Sequence, residues 1–538
     1  MAKKLIHLDK NNITAIGDDF TEWCSFIINE AIGLGILVLV TLFPLYYNDA
    51  YYDILSAKFY FFVRCMLILV SLVLICSLVM ICIDLKNYGG EHTREFLVRL
   101  HPRNWKKNFR IVDAAVLLFW LFAGLATLSS DFVHEAFWGN AGRYSGFYLI
   151  SLYVILYFLV SHFWKIRNGY LELFLLSGII MGILGIGDYF QLDLLNFRNP
   201  ENIGALQSYT STIGNINTYT AYIGMVMGFA AALFALEEKP LKLAWYYVCM
   251  VISFLAMITG RSDNTYLSIG ALFILLPFIL FKEKKGIERY LIIVATFFST
   301  IYLMSLLNQL FPTHILGVDG LFLLITGFSG LPLVVLLLWA IAVGFRFYRL
   351  NPDKKLTLPV RIWGGFTILA FLVVVFLIWD ANMGGHGDRY GSLGTYLVFN
   401  DNWGSHRGYA WKKAVLIYQE LPLWQKLIGS GPDTFACLAE QKFYYTMLDE
   451  VGVFFDTVHN GYLQYLITNG LLGLTFYLTF LGDAFCCFFK NSKKNPYVFG
   501  ALTAGACYAL QTTVNLELPI VTPTFWLLLG IGMAGCRK

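Results

Sequence analysis

Long apolar runs decide what this chain can become. Stretches of roughly 17 to 25 apolar residues recur along its 538 residues, the length a helix needs to cross about 30 Å of hydrocarbon. About fourteen such runs can be read, near 31–47, 59–83, 111–128, 145–162, 169–187, 217–236, 243–259, 265–281, 290–307, 319–345, 362–380, 461–485, 497–515 and 519–536. In lipid every backbone N–H and C=O must be satisfied within the segment, so such runs fold as helices. The predicted fold is therefore all-α: a polytopic membrane protein, 1–538 forming a single transmembrane domain. Composition agrees, with 58% hydrophobic and 14% charged residues against about 25% charged in soluble chains. The run at 319–345 is long and contains Pro332, which predicts a tilted, kinked or split span.

Charge predicts the orientation. The N-terminus, the C-terminus and the loops near 84–110, 163–168, 237–242, 282–289, 346–361 and 486–496 hold about 28 of the 39 Lys and Arg. Segments with that excess stay in the cytoplasm. An even number of spans puts both termini inside and leaves 381–460 as a large extracytoplasmic loop. The basic stretch Arg99 to Arg110 also suits anionic headgroups, although a topology signal alone explains it.

Residues 381–460 are neither low in complexity nor poor in aromatics, with Trp403, Tyr409, Trp411, Phe435, Phe443, Tyr444 and Phe455 able to form a local core. Ala410, Trp411, Ala414, Val415 and Tyr418 recur at helical spacing. Leu421-Pro422 and Gly429-Ser430-Gly431-Pro432 interrupt the chain. Asp433 is placed to cap a helix over about 434–448. Two or three amphipathic helices lying over the membrane as a lid are expected; long ordered loops of this kind usually carry function. No CxxC, HExxH or P-loop spacing occurs. No metal or cofactor is expected, and nothing calls for nucleic acid.

The loop ends in Phe455-Asp456-Thr457-Val458-His459-Asn460, followed by Gly470 and Gly473. A histidine where a water-facing loop meets the membrane can do acid–base chemistry on a lipid-linked substrate. If the helix ran on from His459, Gly470 would lie within about 20° of its face and Gly473 about 40° to the other side. The small residues would admit a close neighbouring helix and turn His459 inward.

Arg407-Gly408-Tyr409-Ala410-Trp411, Gly429-Ser430-Gly431-Pro432 and His459-Asn460 with Gly470 and Gly473 together resemble the O-antigen ligase and Wzy-type polymerase superfamily. Upstream, Trp138-Gly139 with Arg143 and Gly146, Gly214-Asn215-Ile216-Asn217, and Thr259-Gly260-Arg261-Ser262 resemble further elements of it, with Gly260 where Ser is usual. The resemblance spans about 138–480.

It implies a glycosyltransferase of the bacterial plasma membrane. The donor would be a glycan on undecaprenyl pyrophosphate and the acceptor a glycan or glycolipid hydroxyl, both held at the extracytoplasmic lipid surface, without a metal. Arg407, Arg261 and Arg143 would bind the pyrophosphate, because arginine binds phosphate oxygens bidentately and stays charged. His459 would be the catalytic base, or else a pyrophosphate ligand. Asn460, Gly470, Gly473, Asn215 and Asn217 would support the motif. Blander readings exist: helix-end arginines often only snorkel, and Asn215 and Asn217 suit helix caps. Ligase and polymerase both fit, the ligase form slightly better. A transporter or lipid-linked oligosaccharide flippase is the alternative of another class. Its usual marks, ionisable groups at mid-membrane and an internal repeat, are missing from the sequence.

Overall fold

A computed structural model describes residues 10–51, 53–101, 109–197, 208–318, 320–348 and 356–537. Residues 102–108 of the basic stretch and 349–355 of a predicted cytoplasmic loop lie outside them. The described residues are helical apart from one two-stranded antiparallel ribbon, in which Tyr209 pairs with Asn215 and Thr210 with Gly214. The chain is a multi-pass membrane protein.

Every apolar run falls on helix, but the count of fourteen spans is not reached. Nine described helices are long and apolar enough to cross a membrane, ten if one bent pair is a single span. The shortfall has a physical cause. Hydropathy runs absorb residues that fold as turns. The run at 497–515 contains a helix of Pro496–Gln511 and then a 3₁₀ turn at Thr512–Val514. Thr265–Leu280 has 16 residues and Thr522–Cys536 has 15, or about 22–24 Å of helix. Almost every residue of Thr522–Cys536 is buried inside the protein, so neighbours shield its ends rather than lipid. The expected break near Pro332 is present. Gly320–Thr326 and Leu331–Phe347 meet at 84°, with Pro332 in the first turn of the second helix, where its missing N–H costs nothing.

The bundle is built around Ile216–Leu236, the most buried span. It packs on Pro496–Gln511, Pro240–Thr259 and Thr265–Leu280. Small residues set that approach: Thr503 donates its hydroxyl to the Gly228 carbonyl at 2.7 Å, and a Cβ on Gly228 would lie 2.9 Å from the Ala504 nitrogen. Leu358–Asn382 is the opposite case. Only Ala381 of it is buried, as expected of a helix facing lipid chains.

The lid forms as predicted in outline. Trp403–Glu420, Leu423–Ile428 and Phe435–Val451 are helices, with Tyr409, Ile417, Phe435, Leu438 and Met447 in a core of their own. The capping role for Asp433 is wrong. Thr434 occupies the cap position, without a side-chain bond. The Asp433 carboxylate turns away from the helix to take two amides of another loop.

The continuous helix expected after His459 is also absent. Gly461–Thr468 and Gly470–Asn491 are separate helices, and Gly470 has φ +69°. His459 precedes the first of them and shares no face with Gly470. The reason is a clasp. Ser430 and Gly431 donate their amides to the Ile467 and Thr468 carbonyls at 3.1 and 2.9 Å. A Cβ on Gly429 would lie 2.6 Å from the Asn469 carbonyl carbon, and one on Gly470 2.5 Å from the Gly429 nitrogen. Each glycine exists to let the other's backbone in, with φ +111° at Gly429. Gly473 adds room, since its Cβ would meet that of Asn469 at 2.8 Å.

Candidate active site

His459 sits just before Asn460, whose carboxamide oxygen caps the next helix by accepting from the Tyr462 and Leu463 amides at 3.1 and 3.0 Å. The cap leaves His459 outside the helix with φ +54°, a conformation a non-glycine residue adopts at a cost. Its ring is partly buried, and Phe455 meets it edge-on with centroids 6.3 Å apart. Burial lowers its pKa to about 4, Arg407 and Arg143 push in the same direction, and Asp456 opposes them. Near neutral pH this imidazole is uncharged and can accept a proton.

Arg143 approaches from the loop that follows Val133–Trp138. Its fork is engaged: Nε and one terminal nitrogen donate to the two Asp456 oxygens at 2.8 and 2.9 Å. Asp433 holds the same loop, its Oδ2 accepting from the Asn140 and Ser145 amides at 2.7 and 3.1 Å. Burial drives the Asp433 pKa up to about 7 despite those amides, and its φ is +60°.

Arg407 follows three residues in left-handed conformation, Gly404, Ser405 and His406. One terminal nitrogen donates to the Gly404 carbonyl at 2.8 Å, while Nε is buried without a hydrogen-bond partner. Burial lowers its pKa and Asp263 opposes that, but a guanidinium stays charged in any protein environment. A buried guanidinium with an unused donor is costly unless something arrives to take it.

Asp263 belongs to the third cluster. Arg261 has φ +51°, and Ser262 beside it donates to the Asn217 carboxamide oxygen at 2.6 Å. Asn215 caps the helix at Ile216–Leu236, accepting from the Asn217 amide at 2.9 Å. The Asn217 carbonyl in turn accepts from Gln511 and Asn515 at 3.3 and 3.1 Å. Asp263 accepts from Tyr396 of the lid at 3.1 Å. The four segments named in the sequence thus lie together. Asn215 and Asn217 serve as cap and cross-brace, Gly470 and Gly473 as clasp. His459 feels the charges of Arg407 and Arg143, and Arg407 feels that of Asp263, two residues along the chain from Arg261.

Sequence reasoning missed Asp456, Thr457, Gln464 and Glu517 and misread Asp433. Asp456 was visible, three residues from His459 and the natural partner of an arginine. Glu517 was visible too, a lone carboxylate between two apolar runs. It accepts from Tyr465 and Tyr477, both at 2.7 Å, and burial raises its pKa against those bonds. Among the described residues, no three His, Cys, Asp or Glu side chains group as ligands for a metal.

Residues 315–478 match the family described as O-Antigen ligase, the Wzy_C domain. Over that stretch, 164 of 538 residues, the chain is similar to the O-antigen ligase domain. The match takes in the whole lid, Arg407, His459, Gly470 and Gly473, and leaves Arg143, Arg261, Asn215 and Asn217 upstream of it. No curated protein matches the chain.

Proposed function

We propose that this protein transfers a glycan from undecaprenyl pyrophosphate to an acceptor hydroxyl with inversion, at the extracytoplasmic face of the bacterial plasma membrane, a reading that its similarity to the O-antigen ligase domain supports. The observation that carries it is His459, a strained histidine kept neutral by burial beside two arginines. It takes the proton from the acceptor hydroxyl. That oxygen attacks the anomeric carbon, the C–O bond to the pyrophosphate breaks, and the pyrophosphate leaves with the bonding pair. Arg407 and Arg261 stabilise the charge building on it, the kind of contribution that often dominates catalysis. Arg143 joins them by giving up Asp456 for a phosphate. No metal step is required by this scheme.

The charge asymmetry of the loops supports both termini in the cytoplasm and 381–460 outside. Of the two family reactions, transfer to a different acceptor glycolipid is placed ahead of polymerisation, because the histidine string has the ligase form. Reconstitution with an undecaprenyl-pyrophosphate glycan and separate candidate acceptors tests this. The expected product is a glycan joined to the acceptor with release of undecaprenyl pyrophosphate. Elongation of the lipid-linked glycan itself makes it a polymerase. Absence of both, with transport of the lipid-linked glycan across the bilayer, would establish the carrier alternative.

A further inference from the structure

Beside His459 lies a cavity of about 40 Å³, of whose lining the transfer scheme uses only Arg143. Four separate segments wall it, and among its lining residues are Arg143, Asp433, Thr457, Gln464 and Glu517. At 10–15 Å³ for each water-sized group, it has room for about three. Thr457 is the telling residue. It is only 3% exposed, and its hydroxyl has no hydrogen-bond partner. A buried hydroxyl left unpaired costs on the order of 1–3 kcal/mol, and valine would fill the same volume without that cost.

The lining also says what kind of group fits. Asp433 and Glu517 present carboxyl groups, and a third carboxylate, Asp456, already takes the Arg143 fork. While the Arg143 fork stays on Asp456, no other cation among the lining residues is there to hold a phosphate, so the complement is polar but neutral. Thr457 both donates and accepts, the carboxyl groups accept, and the Gln464 carboxamide can donate, although its oxygen is held by the Val458 amide at 3.2 Å. That set suits an alcohol. Thr457 stands two residues from His459, at most about 7 Å of chain, which is comparable to the width of a sugar ring.

We propose that this cavity receives a small hydroxyl-bearing substituent of a sugar ring, such as a hydroxymethyl group, and that Thr457 reads it. The inference rests on the glycan-transfer reading above. The sugar can belong to the acceptor or to the donor's first residue, since both meet at His459. The group orients the ring and thereby selects which sugars react.

The test uses the full-length protein in nanodiscs, with undecaprenyl-pyrophosphate glycan extracted from the cells that make it, donor and acceptor being varied separately. Thr457→Val should raise the KM of one sugar substrate roughly 2- to 12-fold, the size of one neutral hydrogen bond, with kcat within about twofold. The substrate whose KM moves is the one seated in the cavity. Thr457→Ser, which keeps the hydroxyl, should behave as wild type. Thr457→Val should also unfold at or above the wild-type temperature; if it gives no folded protein, Thr457→Cys, a weak donor of similar size, carries the same expectation. Unchanged KM values for both substrates overturn the proposal. So does a fall in kcat alone, which would make Thr457 a support for His459. Absence of transfer by the wild-type protein refutes the glycan-transfer reading itself and takes the cavity with it.

Discussion

The depressed pKa of His459 makes the pH profile the sharpest test of its role as base. Burial and the two arginines bring it from 6.5 to about 4, which corresponds to about 3 kcal/mol in favour of the neutral ring. A base works in its neutral form, so activity should persist to low pH and fail only as pH falls through about 4. At pH 5 about 90% of such a histidine is neutral, so kcat/KM should fall by only about a tenth between pH 7 and pH 5. An unperturbed histidine would be about 3% neutral at pH 5, and the fall would be about 25-fold. Arg407→Gln removes charge repulsion and should move the acid limb upward; Asp456→Asn removes an opposing carboxylate and should move it down. The assay is kcat/KM from pH 4 to 8 at saturating co-substrate. Asp433 has a pKa near 7 and could add a limb there, which Asp433→Asn would abolish. An acid limb near 6.5 that survives Asp433→Asn would refute the buried-base account. The same depression acts on stability. The unfolded histidine binds its proton near 6.5, so up to about 3 kcal/mol of stability is lost as pH falls from 6.5 through 4.

His459→Ala should lower the single-turnover rate by about 10²- to 10⁴-fold with little change in donor affinity, whereas Arg407→Ala should weaken donor binding by about 10- to 150-fold, the size of a charged hydrogen bond. Arg407→Lys should recover part of that, since it keeps the charge without the fork; equal loss of affinity in His459→Ala would make the histidine a pyrophosphate ligand instead. Gly470→Ala should cost several kcal/mol, on the order of 1–2 for the left-handed backbone and more for the collision with Gly429. Thermal unfolding checks this, and a loss under about 1 kcal/mol would refute the clasp. Transfer should continue in excess chelator; activity lost there and restored by a divalent ion would show that the arginines do not suffice. In hydrogen exchange, amides at 430–434 should be protected far more than those at 401–406, and equal rates would contradict a lid fixed on one side only.

How much of this was legible follows from the kind of signal each part leaves. Helices leave long apolar runs, and every run folded as helix. Their ends were less clear, because hydropathy does not register where Thr512–Val514 turns out of the preceding helix. Charge asymmetry, spread over the whole chain, supports placing the site's charged residues on one side. Relations across the fold were not legible. Nothing local says that the Arg143 fork is filled by Asp456, or that Asp433 holds the Asn140 and Ser145 amides. The glycines were noticed for the wrong reason. Gly470 looked like a small residue on a helix face, whereas it starts a new helix at a break where Gly429 can touch it.

That difference changes how the lid relates to the bundle. Had Gly470 lain inside a continuous helix, the lid would hang from the membrane by its two ends alone. Instead its second half is fixed at three places: the clasp of Ser430 and Gly431 on Ile467 and Thr468, the Ser130 hydroxyl donating to the Ser430 carbonyl at 2.5 Å, and the Asp433 amide bonds. His459, Thr457 and the cavity belong to that fixed half, and so does the Arg143–Asp456 pair. The first half is held more lightly, through half-buried Tyr396 on Asp263, and it carries Arg407 behind three left-handed residues. The proposed base is therefore mounted rigidly and the proposed pyrophosphate ligand on the lid's looser half, an arrangement that lets Arg407 close on a donor without moving the group that must align the acceptor.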